Sequence, residues 1–284
     1  MRVHGITHVA LDVSSPTRME RYLRDTFGMQ LLRVGYWQGE YVRVVGSPHD
    51  QRENPGFIHL YNRPFIAQGR LRHIAFGNRD GAIDDAVGAL RARGFYDIDG
   101  EDVISGPDGL RIKLDSFTQP RPLPVGDPVT KMVEAEVDPD LPCLVRGVHH
   151  VALDVPRPTR LVEWQADVFG MTGRRNHDRR GELISIALYG DDKPDVLNRI
   201  IGPIPLFLRR SVDCVRLNHI AFDMADGDAA IDIVEGRGAK VDMEQDAMIH
   251  GPEEVWYQID SRDTPFPIGH PANEPGVPLF PYHY

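Results

Sequence analysis

Apolar residues along this chain follow two patterns. Short runs of aliphatic and β-branched residues alternate with polar ones, and longer stretches space their apolar residues three or four apart. Residues 5–13, Gly-Ile-Thr-His-Val-Ala-Leu-Asp-Val, are of the first kind and predict a strand. Ser14-Ser15-Pro16 follows, a helix-entry signal with proline near the first turn, and Gly28 closes the helix as a C′ residue. Strands are then expected near residues 31–37, 41–46 and 57–61. A second unit opens at 71–76, with a helix near 82–93 ended by Gly94 and strands up to 110–114. The same order restarts at Gly147, with strands near 182–189 and 204–208. A strand at 217–222, a shorter helix ending near Gly238 and a last strand at 255–259 complete it. The pattern reads strand, helix, several strands, four times, which predicts an α+β chain of four βαβββ modules.

The modules are copies. Residues 5–29 and 147–171, read without a gap, are identical at 14 of 25 positions, from the shared His-Val-Ala-Leu-Asp-Val to the shared Phe-Gly-Met. A second echo links Arg70-Leu71-Arg72-His73-Ile74-Ala75-Phe76 with Arg216-Leu217-Asn218-His219-Ile220-Ala221-Phe222. Repetition of this kind decides architecture before any propensity argument does. It gives an N-terminal pair of modules over residues 1–115, a proline-rich connection over 116–145, a C-terminal pair over 146–262 and a proline- and aromatic-rich tail over 263–284. That tail, with Phe266, Phe280, Tyr282 and Tyr284, is expected to lie extended over a domain or a second subunit, so a homo-oligomer is expected.

Composition narrows the function. The chain has 284 residues, 41% of them hydrophobic, and a mean hydropathy of −0.34, which suits a soluble protein of roughly two domains. No apolar run approaches the ~20 residues needed to cross a bilayer, and Met1-Arg2-Val3-His4 leads straight into the first strand, so neither membrane span nor secretory leader is expected. The two cysteines, Cys143 and Cys214, form no disulfide framework or zinc spacing, and a cytoplasmic setting is the simplest. A net charge of −10 argues against nucleic acid as a partner.

A βαβββ unit leaves one face of its small sheet uncovered, and two units side by side enclose a cleft. Strand alternation then sets which side chains line it. With His8 inward, Thr7 is outward; the same register puts His150 inward and His149 outward. His8 and His73 converge in one cleft, His150 and His219 in the other.

The Gly-x-x-His-Val-Ala-Leu-Asp-Val strand, the Phe-Gly-Met helix ending and the Gly106-Pro107-Asp108-Gly109 turn resemble the vicinal oxygen chelate superfamily of glyoxalases, bleomycin-resistance proteins and extradiol dioxygenases. Four modules in one chain are similar to the two-domain extradiol ring-cleavage dioxygenases. The resemblance implies two paired-module domains and a C-terminal site in which two histidines and a glutamate bind Fe(II) or Mn(II). It implies a small catechol-type aromatic substrate, cleaved with oxygen as in aromatic catabolism. The histidines match at His150 and His219. Laying residues 251–260 on residues 106–115 puts Gln258 and Lys113 where the family has its carboxylate. A glutamine oxygen ligates a hard ion without adding negative charge, which weakens metal binding and raises the metal's reduction potential. The metal set is therefore His150, His219 and Gln258, with His8 and His73 as second choice. His59 is expected to share the N-terminal cleft, and His250, before the Gly251-Pro252 turn, to reach the cleft mouth; both are candidate acid/base residues. Phe207 is read at the position of a family histidine that assists proton transfer.

The plainer readings are that a histidine on an apolar strand is a satisfied structural residue, and that duplication copies residues whether or not they still act. Tyr257 is read as packing. Asp12 and Asp154 are read as turn or capping groups, and Glu253-Glu254, Arg179-Arg180 and Asp191-Asp192 as solvated charges. The alternative function is a metal-poor or metal-free isomerase, lyase or hydrolase on the same scaffold, or a small-ligand binding protein.

Overall fold

The computed structural model describes residues 5–49, 57–78, 83–94, 97–98, 103–116, 131–177, 183–188 and 204–261. The proposed tail and the Arg179-Arg180 and Asp191-Asp192 pairs lie outside these residues.

The first module comprises β1 (Gly5–Val13), α1 (Pro16–Phe27), β2 (Gln30–Trp37), β3 (Glu40–Gly46) and β4 (Ile58–Asn62). The second comprises β5 (Arg70–Asn78), α2 (Ile83–Ala92), β6 (Asp97–Ile98), β7 (Val103–Ser105) and β8 (Arg111–Ser116). An edge strand, β9 (Lys131–Glu134), forms inside the proline-rich connection and pairs with β2. The third module holds β10 (Val145–Val155), α3 (Pro158–Phe169), β11 (Thr172–His177), β12 (Leu183–Leu188) and β13 (Ile204–Leu208). The fourth holds β14 (Arg216–Met224), α4 (Gly227–Gly236), β15 (Val241–Asp242), β16 (Met248–His250) and β17 (Trp256–Asp260).

Each pair of modules shares one sheet, ordered β6-β7-β8-β5-β1-β4-β3-β2-β9 in one half and β11-β12-β13-β10-β14-β17-β16-β15 in the other. The modules join through antiparallel pairing of their opening strands, β1 with β5 and β10 with β14. On one face of β1, Val9, Leu11 and Val13 are fully buried in a core that extends unbroken into the second half.

The two halves do not build separate cores. Each long helix lies against both sheets: Phe27 of α1 packs on Phe222 of β14 with ring centroids 5.1 Å apart, and Phe169 of α3 on Phe76 of β5 at 5.4 Å. Tyr257, read as packing, is buried there and donates its hydroxyl to Met19 Sδ at 3.1 Å. At the end of α1, Gly28 adopts φ +76, and a Cβ there would lie 2.1 Å from the Pro142 carbonyl oxygen, so only glycine fits.

Two acidic residues bind the halves reciprocally. Glu253, expected to be solvated, accepts from Ser14 N at 2.7 Å, Ser14 Oγ at 2.9 Å and Ser15 N at 3.0 Å, at the start of α1 in the other half. Its backbone carbonyl accepts from Gly69 N at 2.8 Å, just before β5. Asp108, its counterpart in the repeat, pairs with Arg157 and Arg160 at the start of α3, and its carbonyl accepts from Val215 N at 2.7 Å, just before β14. Both residues hold positive φ, 57° at Asp108 and 56° at Glu253, which the turn tolerates because both ends of each residue are engaged.

Candidate metal centre in the C-terminal cleft

Bulges shape both clefts. In β1 the register steps from Ile6 opposite Phe76 to His8 opposite Ala75, leaving Thr7 as an extra residue; in β10 it steps from Val148 opposite Phe222 to His150 opposite Ala221, leaving His149 extra. The opposing strands carry a matching irregularity just before the second histidine, at Arg72 in β5 and Asn218 in β14. Such extra residues re-aim neighbouring side chains. His8 and His73 are diagonal neighbours across β1 and β5, and His150 and His219 across β10 and β14, a spacing long side chains span. The His8 and His73 Nε2 atoms lie 3.2 Å apart, and those of His150 and His219 lie 3.0 Å apart.

The bulge also corrects the expectation for His149. Strict alternation would turn it outward, but its Nδ1 sits 2.9 Å from His150 Nδ1 and 3.4 Å from the Asp260 carboxylate. His149 and His150 Nδ1 and the Asp260 carboxylate form a compact donor group, all within 4.8 Å of one another, on the far edge of the His150 ring. The sequence signal for Asp260 is its identity with Asp115 at the end of the aligned last strands; Asp115 likewise backs His8 Nδ1 at 3.3 Å. A carboxylate behind Nδ1 favours the tautomer whose Nε2 lone pair faces the cleft.

Around the second histidine the halves diverge. His219 Nδ1 donates to Asn218 Oδ1 at 2.7 Å, and Asn218 Nδ2 donates to Asp154 at 2.9 Å. This chain fixes the His219 tautomer and leaves its Nε2 as an acceptor toward the cleft. Asp154 thus acts in that chain and in an ion pair with Arg209 at 3.3 Å, rather than as a cap, and Asp12 likewise pairs with Arg63 and Arg72. In the N-terminal half Arg72 replaces Asn218. A guanidinium cannot accept a hydrogen bond, and the buried His73 Nδ1 has no partner among the described residues.

The third position diverges too. Gln258 lies opposite Ala221, and its Nε2 donates to the Asp246 carbonyl at 3.0 Å, which turns its Oε1 toward the two histidines. Asp246 and Ala247 hold positive φ of 59° and 58°, so a strained turn presents that carbonyl. In the N-terminal half Lys113 stands opposite Ala75, its ammonium 5.3 Å from the Trp37 ring centre.

Two nitrogens bonded to one divalent ion at about 2.1 Å and at right angles stand about 3.0 Å apart. His150 and His219 meet that test, and Gln258 completes a set of two nitrogens and an oxygen. Burial holds His150 well below the usual histidine pKa, with the charge of His219 next in effect, and burial depresses His219 to about 4. Both rings are neutral at pH 7, as metal ligands must be. The N-terminal pair, 3.2 Å apart, is spaced much the same, but its surroundings do not suit an ion. Arg72 and Lys113 put cations where the other half has neutral acceptors. His59 lies flat on His8, ring centroids 3.8 Å apart and planes 11° apart, so its in-plane lone pairs cannot meet those of the Nε2 pair at one ion.

His59 thus lies in the N-terminal cleft beside His8 and His73. His250 pairs across β16 with Trp256, which pairs with His219, so all three share the cleft face. His250 is exposed at its rim, 3.0 Å from Glu254 and against Trp256 at 4.6 Å. Phe207 lies opposite Asp154 as Tyr61 lies opposite Asp12, and their rings stand 6.3 Å from His219 and 6.4 Å from His73. Phe207 is thus the counterpart of Tyr61, and the register places Pro205, not Phe207, at the position of His59.

No family model and no curated protein sequence matches the chain. Solved structures do. An extradiol ring-cleaving dioxygenase from B. fuscum superposes with a TM-score of 0.61 at 14% identity, over 96% of this chain and 75% of that one. A mutant of 4-hydroxymandelate synthase from Streptomyces coelicolor gives 0.58 at 13% identity, over 84% and 77%. The Mn(II)-bound glyoxalase from Novosphingobium aromaticivorans gives 0.54 at 14% identity, over 93% and 86%. At such identities the likeness is one of fold: the chain has the vicinal oxygen chelate fold, in its four-module, two-sheet form.

Proposed function

We propose that the C-terminal cleft is the active site of an extradiol-dioxygenase-like enzyme in which His150, His219 and Gln258 hold Fe(II) or Mn(II) for a catechol-type aromatic. The observation that carries this reading is the 3.0 Å approach of the two neutral histidine nitrogens beside an oriented glutamine oxygen. Bound there, the metal supplies Lewis acidity toward two adjacent substrate oxygens and the one-electron chemistry that dioxygen requires.

The chain's own residues do the rest. Asn218 and Asp154 hold the His219 tautomer, and the His149–Asp260 group backs His150, so both ligands are oriented before substrate arrives. The Phe207 ring offers an aromatic wall beside His219. His250, held by Glu254 at the rim, is placed to accept a substrate hydroxyl proton and pass it to solvent.

Protein loaded with Fe(II) under nitrogen and then given catechol and air should consume oxygen and form a yellow ring-opened product. Gln258→Glu should raise that rate, because the restored carboxylate makes the iron more reducing. The uncharged Gln258 favours a second reading, an isomerase or lyase needing no redox change. Metal binding without oxygen uptake in either protein would select it, and absence of metal would select a metal-free member of the fold.

A further inference from the structure

The residues that disqualify the N-terminal cleft as a metal site give it a different character. Across its floor run two rows of side chains. His59, Ala10 and His73 are aligned on β4, β1 and β5, and Lys113, Ala75 and His8 on β8, β5 and β1. The alanine in the middle of each row lets the His8, His59 and His73 rings approach one another, with centroids 3.8 and 5.3 Å apart. His8 and His73 are buried at the bottom, while His59, Lys113 and Trp37 are half-buried above them. Beside this basic end, Ala10, Val42, Tyr61, Trp37 and Met132 form an apolar cluster separate from the main core.

The basic end is left with donors to spare. Among the described residues no carboxylate pairs with Lys113, whose ammonium stands 5.3 Å from the Trp37 ring centre and within electrostatic range of His73. Among the described residues Trp37 Nε1 and the fully buried His73 Nδ1 have no hydrogen-bond partner. Burial depresses the His73 pKa well below normal, and the charges of His8, Lys113, His59 and Arg72 push it further down. The Arg72 charge is countered by Asp12 and Glu40; among the described residues that of Lys113 is not. The Lys113 charge, beside these N–H donors and an apolar wall, is complementary to a flat molecule with one anionic end.

We propose that the N-terminal cleft is a second, metal-independent binding site for a small aromatic carboxylate, its anionic group on Lys113 and His59 and its ring against Trp37, Val42 and Met132. In it a lysine side chain supplies the positive charge at the position that Gln258 occupies in the other half. The site performs no bond chemistry, and it does not depend on the metal reading for the C-terminal cleft.

Isothermal calorimetry with sodium benzoate tests this, with benzamide as the uncharged isostere. The wild-type chain should bind one benzoate, and Lys113→Met should weaken it at least about tenfold, the loss expected for one charge-assisted contact. Lys113→Arg should stay within about threefold, which also guards against a misfolded methionine variant. Benzamide should bind at least about tenfold more weakly, and His219→Ala should leave benzoate affinity unchanged. Absence of benzoate binding, equal affinity for benzamide, or indifference to Lys113→Met would each overturn the proposal. So would loss of binding in His219→Ala, which would move the site to the other cleft.

Discussion

Replacing Glu253 by glutamine should loosen the joint between the halves by an amount the structure lets one estimate. Its carboxylate accepts three hydrogen bonds, at 2.7, 2.9 and 3.0 Å, from two backbone N–H groups and one hydroxyl at the start of α1. The amide keeps the shape but removes the negative charge from the helix N-terminus and turns one acceptor into a donor facing another donor. Losing one to two charge-assisted bonds at a partly buried site costs about 2–4 kcal/mol. For 284 residues, an unfolding entropy of about 2.1 cal/mol/K per residue gives roughly 0.6 kcal/mol/K, so Tm should fall by about 3–7 °C. Thermal unfolding followed by circular dichroism reads this directly, with the exposed Glu235→Gln as control. A fall of less than about 1 °C for Glu253→Gln would mean that the carboxylate is effectively solvated and does not join the halves.

Three further outcomes follow from the site. His219 has its pKa lowered to about 4 by burial, so above pH 6.5 it is neutral in both states and its contribution is complete; as pH falls from 6.5 toward 4 the unfolded chain takes up the proton first and stability drops by up to about 3 kcal/mol. Urea unfolding across that window should show the loss, reduced in His219→Gln; a flat profile would contradict the burial argument. Asn218→Leu removes the group that orients His219 and should weaken metal binding by about 10- to 100-fold in a competition titration, whereas unchanged affinity would remove Asn218 from the site. His250→Ala should leave metal content intact and lower kcat by about 10²-fold; an unchanged rate would end its acid/base role.

The architecture was legible because the repeat is strong and alternation is simple: the His-Val-Ala-Leu-Asp-Val strand, the Gly28 and Gly170 helix ends and the proline-led turns all form elements within a residue or two of their expected ends. Sequence reasoning reached His150, His219 and Gln258 as neighbours through family resemblance and the alignment of the last strands. It failed where a local irregularity overrides alternation. The extra residue at His149 cannot be seen in a period-two pattern, and with it went the His149–Asp260 group. It failed again where partners come from the other half: neither Glu253 nor Asp108 carries any local sign that it meets a distant helix start. The contrast of Asn218 with Arg72 was visible in the aligned repeats, but its meaning needed the hydrogen bond at His219 and its lack at His73.

The central claim is that the C-terminal cleft, not the N-terminal one, holds the metal, and metal content per chain after anaerobic Fe(II) loading and desalting tests it most directly. The wild type, His8→Ala and His73→Ala should each retain about one iron per chain, while His150→Ala and His219→Ala should retain none, in keeping with a site built on His150, His219 and Gln258. A wild type that holds no iron, or iron lost only from the His8 and His73 variants, would contradict the account.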